Sequence, residues 1–195
     1  PGEGSGNYVL AVTSADDGRT WSGPRLVIDP PGLVRAYDPC LWHDPLGRLW
    51  LFWAQSCHHW DGRAGVWAIV ARPPGDAGNS GDERPTWSAP RRLCDGIMLN
   101  KPTVLSTGEW LLPAAVWERP ADESTPPPYR HDLGDRRGAN VIASTDQGRT
   151  WAYRGQARVP ERVFDEHMIV ERSDGGLHAR SLWMWVRTAY GIGES

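Results

Sequence analysis

The chain is 195 residues long, with a net charge of −3 and a pI near 6.1. That balance provides no basic field for nucleic acid, and no apolar run nears the roughly 18 residues that span a bilayer. Hydrophobic residues at 39%, with 12 Trp, can fill a core, while 22 Gly and 17 Pro predict many turns.

Residues 8–13 read as a strand that runs into an Asp-rich turn, Ser14-Ala15-Asp16-Asp17-Gly18-Arg19-Thr20-Trp21, and residues 25–28 as the strand leaving it. After Pro30-Pro31-Gly32, residues 38–43, a tight turn over 44–47 and an apolar stretch over 48–54 make a hairpin. Residues 65–71 are a third strand, followed by 91–94 as a fourth. The order then recurs: strand 101–105, turn 106–108, strand 109–117, a Pro-rich and charged surface loop over 118–138, and strand 140–144. Residues 157–160 approach the fourth strand of this second set, and a further unit opens with 167–171, a turn at 173–176, and 182–188. No stretch has a sustained 3.6-residue apolar period, so the expected class is all-β.

The first turn is written again at Ser144-Thr145-Asp146-Gln147-Gly148-Arg149-Thr150-Trp151, and in worn form at 80–87. The copies start at 14, 80 and 144, a nearly constant period that marks repeated supersecondary units. Four-stranded units at this spacing predict a β-propeller. The expected division is the end of a blade over 1–30, a blade over 31–95, a blade over 96–160 and the start of another over 161–195. Such rings need about four to eight blades, so the chain reads as a partial propeller, cut at both ends. The absence of a targeting segment therefore leaves localisation open between secreted, periplasmic and cytoplasmic.

The repeated turn resembles the Asp box, or BNR repeat, of the sialidase (neuraminidase) superfamily, S-x-D-x-G-x-T-W. The resemblance implies a six-bladed propeller of which this chain is about half, with the rest of the ring missing from the chain. In Ser14, Asp16, Gly18 and Trp21, and in Ser144, Asp146, Gly148 and Trp151, the Asp accepts backbone NH groups, Gly permits positive φ, and Trp buries apolar surface. A catalytic or metal-binding role for Asp16 and Asp146 gives way to this turn-staple reading. Chemistry should then sit on the opposite face, reached by the loops 29–38, 95–101 and 160–167 and by the inner loops 54–65, 117–138 and 188 onward.

Those loops carry Arg35, Tyr37 and Asp38 on one blade, Asn100 and Lys101 on the next, and Asp165, Glu166 and His167 on the third. Facing them stand His58, His59 and Trp60, then Trp117, then Arg187 and Tyr190. Glu166 opens an inner strand and Arg187 ends its hairpin partner, so the two should meet near the axis; an ordinary ion pair is the plain alternative. The resemblance implies that a Glu in this place activates a Tyr nucleophile and that an Arg one hairpin later belongs to a triad holding an acidic sugar. The pair here is 21 residues apart, with 176–180 as an apparent insertion. The same resemblance puts the first triad Arg and the general-acid Asp before Pro1, and the third Arg and the nucleophile after Ser195, so Tyr190 is too early to be that nucleophile. Residues 100–102, 164–168 and 187–191 also resemble blocks of bacterial sialidase-like BNR proteins.

The expected activity is exo-glycosidic hydrolysis of terminal acidic sugars from a glycan or glycoside by a two-step retaining route through Tyr. Glu166 would polarise that Tyr, Arg187 would hold the carboxylate, and Arg35, Tyr37, Asp38, Asn100, Lys101, Asp165, His167 and Tyr190 would bind substrate. The alternatives are a hydrolase or lyase for uronate or deoxy-sugar glycans, and a non-catalytic glycan-binding propeller. The isolated chain is expected to be inactive. Lys101 is the one Lys among 20 Arg, retained either for a sugar contact or by chance. No cofactor is expected, and His43, His58 and His59 lack a third ligand at metal spacing. Cys40, Cys57 and Cys94 are an odd count without CxxC spacing and read as buried or free thiols.

Overall fold

A computed structural model describes residues 4–58, 61–72, 86–117, 132–172 and 181–189. These residues form antiparallel sheets and one turn of 3-10 helix at Gly134–Arg136. No helix among them is long and apolar enough to cross a membrane.

The chain opens with a two-stranded sheet, β1 (Val9–Ala11) and β2 (Leu26–Ile28), joined through the first Asp turn. The next sheet contains β3 (Val34–His43), β4 (Leu49–Cys57) and β5 (Gly65–Arg72). Its outer strand is broken into β6 (Thr86–Trp87) and β7 (Arg91–Cys94), and both pieces pair with β5. The second full sheet has the order β8 (Thr103–Val104), β9 (Trp110–Val116), β10 (Gly138–Ser144), β11 (Ala152–Ala157). A last two-stranded sheet is β12 (Met168–Glu171) with β13 (Leu182–Trp185). This is a β-propeller-like array of repeated sheets.

Three boundaries differ from the sequence reading. Arg35, Tyr37 and Asp38 lie within β3 rather than in a loop before it, because the strand bulges between Tyr37 and Cys40 and Asp38 takes φ 51° there. The long loop ends earlier than residue 138: a 3-10 turn precedes β10, which starts at Gly138. β11 follows the second Asp turn directly, some residues before 157. The worn third turn lies almost wholly outside the described residues. All three Cys are free thiols, and Cys40 is buried.

The sheets face one another across apolar seams. Between the two full sheets, Trp50, Phe52 and Ala68 pack on Trp110, Leu112 and Ile142, with Trp42 edge-on to Trp110 at 5.0 Å. Each buried indole removes roughly 200 Å² from water, about 5 kcal/mol of gross transfer energy before chain entropy is set against it. β1 and β2 turn Val9, Leu26 and Ile28 onto Leu51, Trp53 and Ile69, while Ile169 and Met184 of the last sheet cover Leu105 and Leu111.

The two Asp turns have the same hydrogen bonds. Ser144 Oγ reaches Asp146 at 2.8 Å and receives Gly148 N–H at 2.8 Å, and Thr150 donates its N–H and its hydroxyl to the carboxylate. Ser14, Asp16, Gly18 and Thr20 repeat the pattern. The hydroxyl and N–H of Thr20 and Thr150 are the main reason both carboxyls fall to a pKa of about 2. Among the described residues, only the second turn is clamped by a neighbouring sheet: Arg48 donates to the carbonyl of Gln147, and Arg91 to those of Gly148 and Arg149. Arg48 is itself anchored by Asp44, whose buried carboxylate also takes Trp50 Nε1–H at 2.8 Å.

Candidate functional site

The strand register separates the staples from the site. Ser144 lies opposite Trp110 at one end of the β9–β10 pair, and Gly138 lies opposite Val116 at the other. The Asp turn follows Ser144, and Trp117 follows Val116, so the staples and Trp117 occupy opposite ends of the sheet. At the Trp117 end is a hollow of about 480 Å³ whose walls include Tyr37, Asp38, Trp117, Phe164, Glu166 and Arg187. Its side chains come from three successive sheets, so no single sheet contains it.

Glu166 and Arg187 meet, with Nη1 donating to Oε1 at 2.5 Å. The pair is roughly half-exposed, its side chains 41% and 50% accessible, and is therefore open to a ligand. It also borders a second hollow that runs from Asn100 to Trp185. Phe164 stands edge-on to Trp117 at 5.2 Å and beneath the Arg187 guanidinium at 5.7 Å. These contacts give the hollow an aromatic wall with a cation at its rim. Asp38 and Phe164 both have left-handed backbone, φ 51° and 52°, which costs a non-glycine residue about 1–2 kcal/mol.

The loop carrying Glu166 is held from three sides. Asn100 donates Nδ2–H to the carbonyls of Glu166 and His167, both at 3.0 Å. Arg162 binds Asp165, and its guanidinium also reaches the carbonyl of Val116. His167 faces the carbonyls of Asp165 and Asn140 through its two ring nitrogens, at 3.0 and 2.8 Å.

Several residues expected at the surface lie deeper. Arg35 is 2% exposed, donates to Ser56 and lies over the Tyr37 ring at 4.1 Å. Asp165 and His167 are as deeply buried and belong to the loop's own framework, not to a wall that a sugar could touch. Tyr37 faces the hollow, but burial pushes its phenol well above the ordinary value, so it stays protonated at neutral pH and is no phenolate nucleophile. Lys101 is exposed in a third hollow between Pro39 and Val170, apart from the Glu166–Arg187 pair. His59, Trp60 and Tyr190 lie outside the described residues. Among those residues no three metal-ligating side chains come together.

Arg162 was not singled out from sequence, and Phe164 entered only as the first residue of the 164–168 block, without a role. The stretch reads as loop, and nothing in it shows which way either side chain points.

Repeated antiparallel sheets, two of them carrying the same Asp turn, with an ion-paired hollow at the opposite end, define a repeat protein of the β-propeller-like class. The chain belongs to the BNR repeat-like domain family, whose model matches residues 33–187. No curated protein matches the chain.

Proposed function

We propose that the chain forms part of a six-bladed, sialidase-like propeller that hydrolyses a terminal acidic sugar from a glycan. The carrying observation is the Glu166–Arg187 pair, half-exposed at the mouth of a hollow that also holds a second carboxylate, Asp38, and an aromatic wall. Arg187 uses one nitrogen on Glu166, and the remaining N–H groups of its planar fork suit a sugar carboxylate. Trp117 and Phe164 take the apolar face of the ring. Asp38 supplies the proton to the departing oxygen, in place of an acid from before Pro1, and Glu166 polarises the nucleophile. A tyrosine nucleophile comes from outside the described residues.

The test is release of the fluorophore from an α-sialoside by the propeller with its ring closed, beside a glucuronide and a rhamnoside. Wild type should cleave the sialoside, while Glu166→Ala and Arg187→Ala each lose at least about a hundredfold in kcat/KM. Failure to cleave any acidic glycoside overturns the reading, and saturable glycan binding without turnover assigns a binding propeller instead.

A further inference from the structure

The side chain that follows Glu166 is buried, and its surroundings dictate how many protons it carries. His167 is 2% exposed, with its ring between two main-chain carbonyls. Nδ1 lies 3.0 Å from the oxygen of Asp165, and Nε2 lies 2.8 Å from the oxygen of Asn140. A carbonyl oxygen can only accept, so each nitrogen must donate for its contact to be a hydrogen bond. Neutral imidazole has one N–H and one lone pair, and satisfies one carbonyl but not both. In either tautomer the second nitrogen would press its lone pair on an oxygen at 3.0 Å or less. A ring this deeply buried cannot hand the leftover contact to bulk water. The imidazolium donates at both ends.

Burial by itself opposes a charged ring, so the neighbouring charges matter. In the same loop Arg162 is paired with Asp165, and Glu166 is paired with Arg187 from beyond β13. Each guanidinium thus faces a carboxylate, which offsets its repulsion of a further cation. β9 and β10, packed beside the loop, contain no ionisable side chain. Ahead of β10, Arg136 lies over the Tyr153 ring at 3.6 Å, and Arg137 follows it. Lys101, next to Asn100, borders the hollow beside Pro39. In β12 Glu171 accepts from Ser106. From β3, Asp38 adds a carboxylate to the hollow that Glu166 borders.

We propose that His167 is a positioning residue for Glu166 that works as a doubly protonated imidazolium, so that the site is assembled on the acid side and loosens as pH rises. Through Nε2 the ring ties the loop to β10, and through Nδ1 it fixes the turn at Asp165. The carbonyls of Glu166 and His167 in turn hold the Asn100 amide. Glu166 is therefore gripped through the main chain on one side and through its neighbour's ring on the other. The second ring N–H is present at low pH and is lost as pH rises, and one of the two ring bonds goes with it. The charge on the ring also favours an anion beside Arg187, and by linkage an acidic ligand and this proton strengthen each other's binding. That last coupling rests on the acidic-sugar reading, whereas the proton count does not.

NMR of the full propeller with nitrogen-15 in its histidines counts the protons directly. The signals of His167 are those that His167→Gln removes. On the acid side of neutrality both ring nitrogens should carry slowly exchanging protons, and titration to the alkaline side should leave one. Over the same range hydrogen exchange at 164–168, corrected for its intrinsic rise with pH, should quicken about tenfold, the least that a hydrogen bond to a charged group is worth. In His167→Gln that exchange should be fast at both ends of the range, with no step between them. If the variant does not fold, the wild-type titration still decides. A ring with one N–H and one lone pair throughout overturns the proposal. So does a titration that leaves exchange at 164–168 unchanged. Both results can be read whether or not the propeller cleaves a glycoside.

Discussion

Gly148 rests directly against Trp50: a methyl group on its Cα would stand 2.9 Å from the indole edge and equally close to Trp110. The glycine therefore does two things at once. It adopts φ 81° to close the Asp turn, and it lets that turn press onto the seam between sheets.

Gly148→Ala should accordingly cost more than its counterpart in the first turn. Left-handed backbone alone costs about 1–2 kcal/mol, and overpacking the seam adds about 1–3 kcal/mol. Gly18→Ala has the same backbone demand, φ 82°, but its Cβ would meet only Trp21 at 3.6 Å. Urea unfolding of the two variants isolates the seam as the difference between them. Equal losses would mean that Trp50 and Trp110 yield freely.

The Asp turns predict an acid-labile window. Asp16 and Asp146 titrate at about 2 in the folded chain, against about 3.9 for an unfolded Asp. The folded value is the lower one, so the unfolded chain takes up protons first as pH falls. The stabilisation is complete above about pH 4 and is lost between about pH 4 and pH 2. Asp146→Asn should lower the urea midpoint at pH 5 yet lose less than wild type on going to pH 2.5. An identical acid response in the two proteins would assign the window to other carboxylates.

Asn100 positions Glu166 through the backbone, holding two consecutive carbonyls from the neighbouring sheet. On the proposed glycosidase reading, Asn100→Ala should lower kcat by up to about a hundredfold while KM moves little, because displacement of about 1 Å at the reacting centre is that costly. Hydrogen exchange at residues 164–168 should quicken. A fall in melting temperature with kcat intact at low temperature would reduce Asn100 to a structural contact.

The order of strands and the staples were legible because period, Gly and Trp placement, and Asp turn chemistry are all local. The meeting of Glu166 with Arg187 was legible for a related reason, since a hairpin brings its two ends together wherever it lies. Depth was not. Arg35, Asp165 and His167 look like solvated loop residues by type, and only tertiary packing turns them inward onto Ser56, Arg162 and the Asn140 carbonyl. The bulge that lodges Asp38 inside β3 was hidden as well, because Asp-Pro reads as the start of a strand and not as a kink within one.

The clamp at the second Asp turn has a consequence for how such chains change over generations. Arg48 and Arg91 grip carbonyl oxygens of residues 147–149. Gly148 and Trp151 must still fit the seam, but a grip on backbone does not read the side chains of Gln147 and Arg149, and one repeat can be exchanged for another that keeps the backbone shape, the Gly and the Trp. The opposite rim, where three repeats must agree on the placement of Asp38, Glu166 and Arg187, has no such tolerance. Duplication and drift can rework the framework between the sheets, while the proposed site depends on a few positions that have to vary in concert.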